Sequence, residues 1–241
     1  MDRKLILSIF ALFILAIPAE ATIAKVHIAQ HNNCGNTLTC IVTITSTGSG
    51  HFAWIMADNY TGTSSNQEIS SVTDGASTWV VPAGCAGNDS ARGTVSCAYT
   101  LALASGKTSV TVTWGTATPG ANCDVFFEEA SFTGSSIAFD TSGEVTRTAS
   151  TTPLGVALTI GGANDVISQM AMNQNVAVNS INNSYTDLTG LGSGTVAVLY
   201  NSTSGTSPTW SLSGSSTTIM SAIAIKEITA STTASTPPII R

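Results

Sequence analysis

Short runs of β-branched, aromatic and other apolar residues recur along this chain, each bounded by clusters of Gly, Asn, Ser and Thr, and this pattern constrains the fold more than any other feature. Runs of that length and punctuation predict strands. In the first half they are Lys25–Gln30, Leu38–Thr45, Phe52–Ala57, Thr78–Val81, Ser96–Leu103, Ser109–Trp114 and Asp124–Ala130. The second half offers Ser136–Asp140, Val156–Ile160, Val166–Met172, Val176–Ile181, Thr195–Tyr200, Thr209–Leu212 and Thr218–Ile228. Val110, Val112 and Trp114 share one face while Thr111 and Thr113 take the other, the signature of a strand with one wet side. Phe52–Ala57 and much of Met220–Ile225 are apolar at consecutive positions, which suits strands covered on both sides. The expectation is an all-β domain over residues 22–228, built as one antiparallel β-sandwich. Ala163–Asn173 is the one stretch in which a helix competes, and Val166 and Ile167 favour a strand there.

Composition removes several alternatives. Lys and Arg number 8 and Asp and Glu 14, so only 9% of the 241 residues are charged, and the formal net charge is −6. Neither a coiled coil nor a charge-rich helical bundle is written this way, and no basic surface is available for nucleic acid. Apolar residues at 43% suffice for a core of ordinary size.

Arg3 and Lys4, the apolar run from Leu5 to Ile17, and Pro18 followed by Ala19-Glu20-Ala21 are the three parts of a secretory signal peptide. Cleavage after Ala21 and an extracellular or cell-surface location are expected. The apolar run is shorter than the roughly 20 residues that span a bilayer. Residues 229–241 are Thr, Ser and Ala with Pro237-Pro238, a composition that buries no face and predicts a flexible tail.

All five cysteines lie before residue 124. Cys34 and Cys40 flank the turn Gly35-Asn36-Thr37, and Cys85 and Cys97 flank a polar loop, so locality favours these two disulfides. Cys123 is left as a small buried residue. Zinc is not expected, because C-x-x-C is absent and His27, His31 and His51 are not at ligand spacing to the cysteines.

Val72-Thr73-Asp74-Gly75 with Ser77-Thr78-Trp79, then Pro82-Ala83-Gly84-Cys85, Ser96-Cys97-Ala98-Tyr99, Ser109–Thr113 and Asp124-Val125-Phe126-Phe127-Glu128 together resemble a group of uncharacterised exported bacterial proteins. That group is similar to jelly-roll sandwiches of the concanavalin A-like kind. The resemblance implies the fold, export and the Cys85–Cys97 pairing, and it brings no catalytic residues with it.

Catalytic constellations are not found. Asp124, Glu128 and Glu129 are the one local carboxylate group, but on a strand Asp124 and Glu128 stand about 13 Å apart, beyond either spacing used in glycoside hydrolysis. Jelly-roll glucanases carry E-x-D-x-E or E-x-D-x-x-E, whereas here Asn122 occupies the first position. These acids are therefore expected to face solvent or to meet Lys107, Arg92 or Arg147. There is no G-x-S-x-G elbow. Asp58-Asn59, Asn88-Asp89 and Asn164-Asp165 offer oxygens of the kind calcium takes, yet the same residues serve turns. Trp54, Trp114 and Trp210 lie on apolar faces and belong to the core. Trp79, Tyr60 and Tyr185 remain as aromatics for a ligand. The functional expectation is an exported, non-catalytic module that recognises glycans or cell-surface material. A structural or self-assembling extracellular protein is the alternative, and a glycoside hydrolase the third choice.

Overall fold

A computed structural model describes residues 23–228 except 36, 60–66, 90–92, 117–122, 135, 163–164, 174–175, 188–196 and 203–207. The expected signal sequence and C-terminal tail, with Tyr60, Arg92 and Asn164, thus lie outside the described residues. Among those described there is no helix. The strands are β1 (Ile23–Asn32), β2 (Thr39–Thr43), β3 (Phe52–Asn59), β4 (Ile69–Thr73), β5 (Gly87–Asp89), β6 (Gly93–Thr100), β7 (Ser109–Trp114) and β8 (Asp124–Phe132). They continue with β9 (Ser136–Ser150), β10 (Asp165–Asn173), β11 (Val178–Ile181), β12 (Thr186–Asp187), β13 (Ala197–Ser202), β14 (Trp210–Leu212) and β15 (Ser216–Ile228).

The chain is all-β with antiparallel pairing, as expected. It also has more layers than two. One five-stranded sheet runs β1-β8-β3-β6-β5 and another β12-β13-β10-β15-β9, with a three-stranded sheet β2-β7-β4 and a ribbon β11-β14 outside them. Alternation along the strands builds the stack. Ile55, Val125 and Phe127 of the first five-stranded sheet meet Val42, Val110 and Val112 of the three-stranded sheet in one core. Trp54, Met56 and Phe126, on the other face of the same strands, meet Met170, Ile219 and Ile223 in a second. A third core joins Ile167, Met220 and Ala222 to Val178, Trp210 and Leu212. Hence β3 and β10 are buried at every position, which is why their sequences lack polar alternation. Burying each large apolar side chain in these layers contributes roughly 1.5–3 kcal/mol.

Several strand boundaries differ from the sequence pattern. β4, β5 and β12 were not expected, because Ile69-Ser-Ser-Val-Thr, Gly-Asn-Asp and Thr-Asp are short and polar. β9 extends ten residues past the expected Asp140, drawn out by its long partner β15. Thr78–Val81 is no strand, and only Val80 bridges to Tyr99, since Pro82 interrupts further pairing. Val156–Ile160 forms no ladder either, although Val156 and Leu158 close the third core.

Disulfides join Cys34 to Cys40 and Cys85 to Cys97, with Cα separations of 5.3 and 5.7 Å. Cys123 is buried. No helix among the described residues is long and apolar enough to cross a membrane.

Candidate functional site

The outward face of the three-stranded sheet is a regular array of hydroxyls. Registered pairing sets Thr39 beside Thr113 and Ser71, Ile41 beside Thr111 and Thr73, and Thr43 beside Ser109. Directly opposed residues of an antiparallel pair share a face. Cys40, Val42, Val110 and Val112 are buried on the inner face, so these residues point outward. Neighbours in a row stand about 4.8 Å apart and successive rows about 6.7 Å apart. No Asp, Glu, Lys or Arg occupies a position in these rows. Each threonine offers a donor, an acceptor and a methyl group, and Ile41, 55% exposed beside Leu38 at 46%, adds apolar area.

Trp79 is half-buried and packs against the core beneath this sheet. Its ring lies 6.5 Å from that of Phe127, and its indole N–H reaches Asp74 Oδ2 at 3.4 Å. Asp74 also accepts the Ser77 hydroxyl and the backbone N–H groups of Ala76 and Ser77, at 2.8 and 2.7 Å. Partial burial favours the neutral acid, but these hydrogen bonds outweigh it and hold Asp74 below its ordinary value. The carboxylate is therefore spent on the turn. Tyr185 is buried in the third core, its hydroxyl accepting Gln169 Nε2–H at 3.1 Å. Burial raises that phenol. Trp79 and Tyr185 thus belong to different cores with both five-stranded sheets between them, and they do not converge on one ligand.

The carboxylates depart furthest from expectation. Glu128 and Glu129 do not face solvent and do not meet Lys107 or Arg147, for both are fully buried. Glu128 enters the second core, where Oε1 accepts the Trp54 indole N–H at 2.7 Å and the Ser168 hydroxyl at 3.0 Å. Glu129 enters the first, where Oε1 accepts the Gly48 N–H at 2.8 Å and contacts His51 Nδ1, and Oε2 lies 2.8 Å from His27 Nδ1. The register shift between Lys25 and His27 turns His27 to the same side as Glu129. Gly48 is required here because a Cβ would occupy the His51 ring. His27 is therefore a carboxylate partner within the sheet, and three residues distant in sequence form one polar cluster.

Two acid pairs lie where strands begin beside their neighbours, at Asp124 of β8 and Asp165 of β10. Asp58 Oδ1 accepts the Asp124 N–H at 2.7 Å, and burial followed by repulsion from Asp124 pushes Asp58 well above its ordinary value. Burial also raises Asp124, although the Asn33 N–H and the His31 charge oppose it. Asp165 is pushed to about 7 by burial, then by a hydrogen bond to Asp140 and repulsion from it. Lys226 Nζ holds Asp140 at 2.6 Å. Of the oxygen pairs considered for calcium, Asp58 and Asn59 project to opposite faces of β3. Asn88 spends its amide on Thr94 Oγ1 at 3.1 Å.

Neither a family model, nor a curated protein, nor a solved structure matches the chain. Its chemistry rests on its own residues. Among the described residues Glu128 and Glu129 are fully buried, whereas the hydroxyl array is open to a large ligand. The array was signalled by the alternation around Thr111 and Thr113. The Glu129 cluster had no local signal beyond acids embedded in an apolar run.

Proposed function

We propose that this protein is an exported, non-catalytic β-sandwich of the concanavalin A-like jelly-roll kind that binds extended glycans or similar cell-surface polymers. The supporting observation is the uncharged Thr/Ser face of β2-β7-β4. Its hydroxyls can exchange hydrogen bonds with sugar hydroxyls while its methyl groups cover the apolar faces of the rings. A polymer several sugars long makes many such contacts, each weak. The test is a glycan array and polysaccharide-retention assay of residues 22–241 beside Thr111→Lys, a variant at the centre of the face. Selective retention that falls at least about tenfold in the variant is expected. Retention unchanged by Thr111→Lys, or no retained glycan in the panel, would overturn the reading.

Self-assembly is the second reading, and the exposed Leu38 and Ile41 at edge strand β2 favour it. Low charge weakens repulsion between copies. Light scattering that grows with concentration and is suppressed by Ile41→Lys would establish it in place of glycan binding.

A further inference from the structure

We propose that His31, Cys34 and Cys40 form a redox-gated zinc site, closed as a disulfide when oxidised and open as a ligand set when reduced. One imidazole nitrogen and both sulfurs lie within 4.8 Å of one another. β1 ends at Asn32, and Asn33, in the left-handed region with φ 64°, turns the chain so that Cys34 comes back beside His31. No zinc-ligand spacing marks these histidines in the sequence; the turn supplies the proximity, and His31-x-x-Cys34 followed by Cys40 becomes a convergent trio.

The geometry suits the metal. Zinc takes thiolate at about 2.3 Å and imidazole at about 2.0–2.1 Å in a tetrahedron, which sets ligand atoms roughly 3.5–3.8 Å apart. The imidazole nitrogen lies within 4.8 Å of both sulfurs, and the two sulfurs need only separate once their bond is broken. His31 is exposed and Cys34 half-buried, so the loop can open and a solvent molecule can take the fourth position. Cys40 is anchored in the first core. A carboxylate is also at hand at the turn, where Asp124 Oδ1 accepts the Asn33 N–H at 3.2 Å, and carboxylates commonly orient metal-bound imidazoles. Cys123 lies behind the loop, where its carbonyl accepts the Cys34 N–H at 3.1 Å.

Opening the site is a two-electron reduction. A phosphine attacks the disulfide and water supplies the oxygen, so that the products are two thiols and the phosphine oxide. Zinc then replaces the two thiol protons, which makes binding weaker as pH falls. In an oxidising compartment the disulfide persists, and in a reducing one the ligand set is exposed. The proposal does not depend on glycan binding.

Cobalt(II), whose sulfur-to-metal charge-transfer absorption reports thiolate coordination, is the probe for residues 22–241 with and without phosphine reduction. The reduced protein is expected to bind one equivalent, displaced by zinc, and the oxidised protein none. His31→Ala, at an exposed position, should weaken binding at least about tenfold, and Cys34→Ser should abolish the absorption. A Cys85→Ser/Cys97→Ser variant should keep it, as should Cys123→Ser. Absence of absorption in the reduced wild type, its survival in Cys34→Ser, or affinity unchanged by His31→Ala would overturn the site.

Discussion

Glu128 and Glu129 are neighbours on β8, identical in chemistry and both fully buried, yet they lie in different cores and keep different company. Glu128 is held by neutral donors, an indole and a hydroxyl, in the gap closed between the two five-stranded sheets. Glu129 is held by two imidazoles with side chains 17% and 20% exposed, at the edge of the gap beneath the hydroxyl face. A one-residue step along a strand changes the face, and here it also changes whether water can replace a lost partner. The lesson is that burial of an acid does not rank its importance. The neighbours it would leave stranded do.

That contrast can be broken by substitution. Glu128→Ala strands the Trp54 N–H and the Ser168 hydroxyl and opens a cavity, so a loss of about 4 kcal/mol is expected in chemical denaturation. Glu129→Ala should cost about 2 kcal/mol, because His27 and His51 can turn to solvent. An equal or reversed order would show that both gaps are equally closed. The disulfides extend the same comparison: replacing Cys85 and Cys97, which are buried and span 12 residues, should cost about 3 kcal/mol, and replacing Cys34 and Cys40, which span 6, about 2 kcal/mol. Gly48→Ala drives the His51 ring off Glu129 and should cost about 1–2 kcal/mol.

The smallest effect, measured below pH 4, belongs to Asp165→Asn. Asp165 titrates near 7 in the folded protein against an ordinary 3.8. Between those values the folded state keeps a proton that the unfolded chain has released, so stability falls as pH rises from about 4 to about 7 and levels off above. The amide imitates the protonated acid in both states, so the variant should match wild type below about pH 4 and, lacking this decline, become the more stable of the two as pH rises towards 7. Asp140 acts in the opposite sense, since its hydrogen bonds from Lys226 and Gly161 prevail over burial and lower it. Its contribution is lost only below the ordinary carboxylate range. A pH profile left unchanged by Asp165→Asn would remove this acid from the account.

Strands whose neighbours bury both faces were plain in the sequence, as Phe52–Ala57 and Met220–Ile225 attest. So was the wet face around Thr111. Layer number was not, because alternation reports that a face is covered and not by which sheet. β4 escaped for a different reason: Ser70 and Ser71 break the apolar pattern, and the strand is held instead by its ladder to β7. The Glu129 cluster assembles His27, His51 and Glu129 through a bulge and a glycine contact, neither of which leaves a compositional trace. Trp79 and Tyr185 show the converse, aromatics in polar loop sequences that fold inward onto cores.

Stacking four layers gives the molecule a built-in order of disassembly. β3, β8, β10 and β15 each contribute side chains to two cores, so exposing their amides requires both coverings to be lost. β2, β7 and β4 contribute to one core only, and can peel away while the second and third cores stay intact. Hydrogen exchange should therefore begin at the outer sheet, in a sub-global opening that bares Val125 and Phe127. A ligand that spans the outer sheet would clamp that opening shut, and its binding would register as slowed exchange along β7 before any change appeared in the centre of the stack.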